Sequence, residues 1–339
     1  MGHKGRYASA TRKVWSNLRV KLSVIHRNRG QIKLFQMKNV KVLHNPDAGE
    51  GEATKQELIH AIESAGFNCS YSSTKHFRWE NIETAEFDFL ALAGGDGTVR
   101  KIADELLSQK SMDKRLPIAL LPMGTANNIA KTLGVSGSTK EIIESWKTAT
   151  VKKFDIGKIG GLEKPSFFLE SFGYGLFPKL MKEMETQKKD DLADPKERLQ
   201  AALEILRGLI LSAPAKKCNL QINEQDYSGE FLLIEVMNIR SIGPNLNLAP
   251  DADPGDGQFD VVLITEFQRN ALAAYVQKKI AGTEVPFDFP ILKAEDLLIF
   301  WDGEHLHVDD ECHTIEQPAK IEIKLKKGLL DFLFPVKTG

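Results

Sequence analysis

Five consecutive residues, Gly94-Gly95-Asp96-Gly97-Thr98, carry chemistry that can be named from their types alone. They follow an apolar run, Phe87 to Ala93, and precede a stretch from Val99 to Leu107 that reads as a helix. Three glycines in four positions remove the Cβ atoms that would hold backbone N–H groups away from a polyanion. A helix beginning directly afterwards adds the positive end of its dipole. Asp96 cannot serve phosphate affinity, because two anions repel. It is expected to hold a metal that bridges to phosphates, or to accept a hydrogen bond from a nucleotide. The plain alternative is a strand-to-helix turn, and the embedded acid counts against it.

A second segment, Pro122-Met123-Gly124-Thr125-Ala126-Asn127-Asn128, follows another apolar run, Leu116 to Leu121. Read alone it is a helix N-cap. Beside the glycine loop, its hydroxyl and amides suit phosphate or ribose contacts, because ligands collect at the carboxyl ends of parallel strands.

The elements that must position these loops follow from pattern. Val40 to His44 reads as a first strand ending in the turn Asn45-Pro46-Asp47-Ala48-Gly49. Thr54 to Ala65 has Leu58, Ile59 and Ile62 at helical spacing and is closed by Gly66. Ala126 to Leu133 reads as a helix. Strand, glycine turn and helix, repeated, predict a parallel α/β sheet. After about residue 153 the texture changes. Phe167–Phe172, Phe231–Met237, Phe259–Ile264, Leu297–Phe300 and Ile321–Leu325 are strand-like, with helical stretches only around 196–211 and 270–280. Antiparallel sheets packed as a sandwich fit this better than a second doubly wound sheet.

Bulk properties bound the function. A chain of 339 residues predicts two domains. No apolar run approaches the ~18 residues that span a bilayer, so membrane contact is expected to be peripheral and the location cytoplasmic. Cys69, Cys218 and Cys312 are far apart, which argues for a reducing compartment. Residues 1–46 hold eleven Lys or Arg and no acid, leaving 34 basic and 46 acidic residues for the rest. In this basic leader, Trp15, Leu18, Leu22 and Ile25 share a helical face suited to anionic lipid, yet Leu18, Val20, Leu22 and Val24 also alternate as in a strand. Residues 1–37 are expected to be a basic leader, disordered or membrane-facing, with a solvated charged segment or an extra edge strand as the alternatives. Residues 38–153 are expected to form an α/β nucleotide-binding domain, and 154–339 a β-sandwich domain whose last strands return to the first. No nucleic-acid partner is implied. Oligomeric state is open, a homo-oligomer included.

Taken together, Asn45-Pro46-x-Ala48-Gly49, Gly94-Gly95-Asp96-Gly97-Thr98 and Pro122-x-Gly124-Thr125-Ala126-Asn127 resemble the signature of the diacylglycerol kinase catalytic-domain family. That family includes bacterial lipid kinases and the sphingosine and ceramide kinases. The similarity runs from about residue 38 to 335 and includes Gly243, Ala249-Pro250 and Asp256-Gly257-x-Phe259-Asp260. It implies a nucleotide domain like those of phosphofructokinase and NAD kinase, a β-sandwich domain, and an active site in the cleft between them. It also implies ATP and Mg²⁺ as cofactors, and a lipid substrate at a membrane surface. The resemblance makes Asn45, Pro46, Asp47, Ala48, Gly49, Gly94, Gly95, Asp96, Gly97, Thr98, Val99, Arg100, Gly124, Thr125 and Asn127 nucleotide-binding positions, with Thr74 a further match. It makes Asp256, with the backbone carbonyls of Asp253 and Gln258, a Mg²⁺ site. The bare alternative for Asp256-Gly257 is a hairpin turn.

Two segments compete for the general base. Asp302-Gly303-Glu304 matches the family's Asp-Gly-Glu literally, but Leu297–Trp301 and His305–Val308 alternate like a hairpin of which Asp302-Gly303 is the turn. The family's catalytic Asp follows a second strand and precedes a short loop, a Pro and two further strands. Asp309, ahead of Pro318, has that place, so the resemblance favours Asp309 as base with Glu311 as its partner. The base would take the proton of a lipid hydroxyl attacking the γ-phosphate, while Mg²⁺ and backbone amides neutralise developing charge. Departures from the family pattern are Glu50, Arg100-Lys101, Asn128 and Asp310. They motivate a rival reading as a nucleotide- or lipid-binding sensor without turnover. An NAD kinase, which shares the Gly-Gly-Asp-Gly-Thr loop, is a further rival that the Pro-x-Gly-Thr-Ala-Asn segment disfavours.

Overall fold

The computed structural model describes residues 37–48, 54–75, 84–108, 115–186, 194–301, 303–315 and 319–335. The basic leader up to residue 36, Gly49, Glu50, Asp302 and Pro318 lie outside these.

The first half is built from β1 (Asn39–His44), α1 (Lys55–Ser64), β2 (Asn68–Ser73), β3 (Phe89–Gly94), α2 (Asp96–Ser108), β4 (Ile118–Pro122), α3 (Asn128–Thr132) and α4 (Thr139–Ser145). Strands β2, β1, β3 and β4 lie side by side in that order, all parallel. β3 reads Phe-Leu-Ala-Leu-Ala-Gly and is buried on both faces, as a parallel strand covered by helices must be. Each Leu there contributes on the order of 2 kcal/mol through burial. α1 starts at Thr54, whose hydroxyl and the Glu57 carboxylate form a reciprocal capping box, and ends before Gly66, whose φ of 91° only glycine adopts freely.

The second half adds β5 (Thr150–Gly160), β6 (Phe167–Phe168), β7 (Ser171–Gly175), α5 (Leu176–Thr186), α6 (Pro195–Ser212), β8 (Lys216–Ile222), β9 (Gln225–Asp226) and β10 (Gly229–Met237). It continues through β11 (Ser241–Ile242), β12 (Leu246–Asn247), β13 (Phe259–Thr265), α7 (Arg269–Ile280) and β14 (Ile291–Ala294). It ends with β15 (Asp296–Trp301), β16 (His305–Val308), β17 (Glu311–Thr314) and β18 (Ala319–Phe334). Pairing is antiparallel throughout this half. β18 carries the join: it runs antiparallel to β15 and β5, then meets β4 in parallel at Phe332 and Ile118. Among the described residues no helix is long and apolar enough to cross a membrane.

Three details differ from expectation. Helix α5 is a third helix in this half; Gly175 and Pro178 at its start make Leu176–Thr186 read as loop in one dimension. α2 begins at Asp96 rather than Val99, so the glycine loop is itself the helix's first turn. The strands on either side of Asp302-Gly303 are not a hairpin. β15 pairs with β8 and β18, whereas β16 pairs with β7 and β17. Alternation reports which face is buried, not which strand is the neighbour. The true two-residue hairpin turn is Asp309-Asp310, between Val308 and Glu311.

Candidate active site

The four parallel strands end on one edge, and their carboxyl ends bring the predicted loops together. Asn45 follows β1, donates from its backbone N–H to Ala93 O at 2.8 Å, and from Nδ2 to Thr98 Oγ at 3.2 Å. Thr74 follows β2, is buried, and donates its N–H to His44 O at 2.9 Å. Pro46 and Asp47 are exposed; Asp47 pairs with Lys75 at 2.7 Å, tying the ends of β1 and β2. Ala48 packs partly against the core, and Val99 is buried within it.

The glycines serve different needs. A Cβ on Gly95 would lie 3.1 Å from the Gly124 Cα, and one on Gly124 only 2.6 Å from the Gly95 Cα. These two glycines let one loop's backbone rest on the other's. Gly94 makes room for the Thr98 side chain of its own helix turn. Gly97 faces the Asp310 carboxylate, 3.3 Å from where its Cβ would be. Asn127, in the left-handed region with φ of 50°, closes the second loop: Gly124 N–H donates to its Oδ1 at 2.9 Å, and its Nδ2 donates back to Gly124 O. Thr125 stands exposed at the loop's tip.

Asp96 has a use that its position in the loop did not reveal. Its carboxylate accepts the backbone N–H of Asn128 at 2.8 Å and of Ile129 at 3.2 Å. It caps the start of α3, joining the two loops a second time. Burial raises its pKa, and these two amides partly offset the rise.

Asp309 comes from the second half of the chain, at the hairpin turn, with φ of 53°. Its side chain is buried. Oδ1 accepts from the N–H groups of Leu169 (3.0 Å), Glu170 (2.7 Å) and Ser171 (3.3 Å), and Oδ2 pairs with the Arg100 guanidinium. Arg100 lies over the Phe167 ring, 4.1 Å from its centroid. Burial raises the Asp309 pKa, outweighing the Arg100 charge and the amides. The partner of Asp309 is therefore Arg100, not Glu311. Glu311 opens β17, is exposed, and faces His313 at 3.7 Å.

A cavity of about 290 Å³ joins these parts. It is lined by Gly95 to Gly97, Gly124 to Ala126, Asn128, Glu170, Ser171 and Asp309-Asp310, with Met181 and Ile242 as its apolar part. Glu170 was not anticipated. It is a lone acid in the apolar run Phe167 to Phe172, which is the signal that could have found it, since acids are seldom buried. Its pKa is raised well above the ordinary value, first by burial and then by the charges of Asp96, Asp309 and Asp310. Two buried atoms of lining residues, Asn128 Oδ1 and Ser171 Oγ, have no hydrogen-bond partner.

The expected metal ligands sit elsewhere, in one turn against β5. There Asp256 Oδ1 accepts the Gln258 N–H at 2.9 Å and Oδ2 faces Lys293 at 3.6 Å, while Asp253 Oδ1 binds Lys152 at 2.6 Å and the Asp253 carbonyl accepts the Asp256 N–H at 3.1 Å. Buried Asp155 anchors this turn by accepting the Gly257 N–H at 2.9 Å. The turn gathers Asp253, Asp256 and Gln258, but both carboxylates are engaged by lysines and amides.

Residues 39–159 match the family described as diacylglycerol kinase catalytic domain, and residues 184–324 match that described as YegS C-terminal NAD kinase beta sandwich-like domain. The chain belongs to the diacylglycerol kinase catalytic-domain family. A diacylglycerol kinase of Bacillus subtilis (strain 168) is 26% identical over 239 residues, 67% of this chain and 74% of that protein. A Staphylococcus aureus (strain MSSA476) protein named "Putative lipid kinase" is 28% identical over 294 residues, 83% of this chain and 90% of its own. In fold, this member of the diacylglycerol kinase family is similar to a solved Bacillus anthracis str. Sterne diacylglycerol kinase, with a TM-score of 0.66 at 22% identity over 90% of this chain and 98% of that one. The mixed sheet, parallel first and antiparallel afterwards, is that of the family.

Proposed function

We propose that the protein is an ATP-dependent lipid kinase that transfers the γ-phosphate to a lipid hydroxyl, with a diacylglycerol-like acceptor. The observation that supports this most is the meeting of three segments far apart in sequence, 95–97, 124–126 and 309–310, around one cavity. Relatives named as diacylglycerol and lipid kinases support the acceptor class, and the apolar lining of Met181 and Ile242 suits the carbon chain beside a lipid's hydroxyl.

The residues at the cavity fit a nucleotide's phosphates. Gly97, at the N-terminal turn of α2, offers a surface with no side chain, and Thr125 an exposed hydroxyl. ATP supplies the transferred phosphoryl group. Asp309 takes the proton of the acceptor hydroxyl as its oxygen bonds to the γ-phosphorus and the bond to the departing ADP oxygen breaks. Burial raises the basicity of Asp309, but its lone pairs are engaged by three amides and Arg100. An entering γ-phosphate competes for the same guanidinium, because a charge-assisted pair with phosphate is as strong as one with carboxylate. Arg100 thereby neutralises phosphoryl charge while releasing Oδ2. Mg²⁺ beside a nucleotide takes only one or two protein carboxylates, and the acids lining this cavity, Asp96, Glu170 and Asp310, are the residues that would hold it to help neutralise phosphoryl charge.

A second reading, a nucleotide-binding sensor without turnover, is favoured by the same engaged Asp309 and by Asp310 standing over Gly97. One experiment separates them: purified protein with Mg²⁺-ATP, a panel of diacylglycerol, sphingoid, ceramide and other glycerol-lipid acceptors, and Asp309→Ala as control. Labelled phosphate on an acceptor, lost by two to four orders of magnitude in the variant, supports the kinase. No transfer to any acceptor sinks it.

A further inference from the structure

Beneath the Asp309-Asp310 turn lies a pair of ionisable groups that the proposed chemistry leaves unused. His307 of β16 and Glu235 of β10 are each 0% exposed. His307 Nε2 is 3.0 and 2.9 Å from the two Glu235 oxygens, and Nδ1 is 3.0 Å from the Asp309 carbonyl oxygen. A carbonyl oxygen can only accept, so Nδ1 carries a proton. Nε2 faces a carboxylate, so a second proton lies between ring and acid. Burial opposes the charged ring, but Glu235 and the bond to the Asp309 carbonyl raise the His307 pKa above its ordinary value. The sheet is cut away to admit the acid: a Cβ on Gly173 of β7 would come within 2.1 Å of Glu235 Oε1.

Such a pair is costly. Taking two ions out of water costs several kcal/mol each, and an apolar pair of similar bulk is often as stable. What this pair holds is the backbone of Asp309. That residue adopts φ of 53°, a left-handed conformation that is unfavourable for a residue with a Cβ. Its N–H donates to Ser171 O at 2.8 Å, and its C=O accepts from His307. The peptide groups on both sides of the Asp309 Cα are fixed, and the carboxylate is thereby aimed at Leu169, Glu170 and Ser171. Around the ring, Glu235 comes from β10 and Asp309 from its own turn. Cys312 and His313 come from β17, and the Phe177 ring of α5 presents its edge at 6.2 Å.

We infer that Glu235 and His307 are a positioning pair for Asp309, the ring N–H locking the turn that aims the carboxylate. Its activity arm rests on the kinase reading; its structural arm does not. The test is the double variant Glu235→Met with His307→Leu, which leaves no buried charge, beside Glu235→Gln, which keeps the Nδ1–H donor. Two readouts are taken: kcat and KM for ATP with the acceptor that the wild type uses, and the backbone N–H chemical shifts of Leu169, Glu170 and Ser171. In the double variant kcat should fall at least tenfold with KM for ATP within twofold, and the three amide shifts should move. Glu235→Gln should keep kcat within about threefold. A double variant with wild-type kcat overturns the inference. Unmoved amide shifts overturn it as well, including in a protein that phosphorylates no lipid, an outcome which by itself sinks only the kinase reading.

Discussion

Asp96 and Asn128, 32 positions apart, are joined by a 2.8 Å hydrogen bond from the Asn128 backbone N–H to the Asp96 carboxylate. With the Ile129 N–H on the other oxygen, an acid placed in a phosphate-type loop holds the neighbouring loop in register. Asp96→Ala should therefore cost about 1–2 kcal/mol of stability, the loss of a charged helix cap, and should abolish the thermal stabilisation conferred by ATP. Asp96→Asn keeps one acceptor and should lose about half as much. Urea unfolding and melting with and without ATP measure both. An Asp96→Ala protein as stable as wild type would mean that the cap is idle.

Arg100→Ala removes the only side-chain cation paired with the buried Asp309 among the described residues. Breaking a buried pair costs about 3–5 kcal/mol, and the three amides that remain on the carboxylate should hold the loss near the lower bound. Turnover should fall too, because phosphoryl charge loses its counterion. Arg100→Lys restores charge without the flat stacking on Phe167 and should recover only part of the stability. Unchanged urea midpoints in Arg100→Ala would refute the account.

Glu170 sets a pH dependence whose sign can be stated. Its folded pKa is raised, first by burial, so between the unfolded value near 4.5 and the higher folded value the native state holds more protons than the unfolded chain. Its contribution to stability therefore declines as pH rises through that window. Glu170→Gln removes the ionisation and keeps an oxygen for Asn128 Nδ2 to reach. The variant should gain stability over wild type progressively above pH 4.5, and the two curves should converge in acid. Parallel curves from pH 4 to 8 would contradict it.

Asp310 places a carboxylate over Gly97, at the turn where phosphate is expected. Asp310→Gly removes that anion, and ATP should bind several-fold tighter, with a larger ATP-induced melting shift at low salt than at high salt. Weaker ATP binding in this variant would instead make Asp310 part of the nucleotide's own contact set.

The sequence by itself determined the parallel half and the location of its site. Short apolar runs ending at His44, Gly94 and Pro122, each bounded by turn residues, read as strands, and loops after parallel strands share an edge whatever the rest of the fold does. That Asp309 follows a strand was likewise legible, although alternation pointed to the wrong partner for that strand. What the tertiary structure decided is which groups those residues meet. Asp96 faces two amides, Asp309 is held by Arg100 and the 169–171 backbone, and Gly95 and Gly124 touch each other. It also decided that β16 pairs with β7 and β17 rather than β15, and with that the place of Glu235 and His307 under the turn. Period-two alternation is a local property of one strand. Partner choice is a long-range property, set by which buried faces fit together, and no window of sequence contains both members of such a pair.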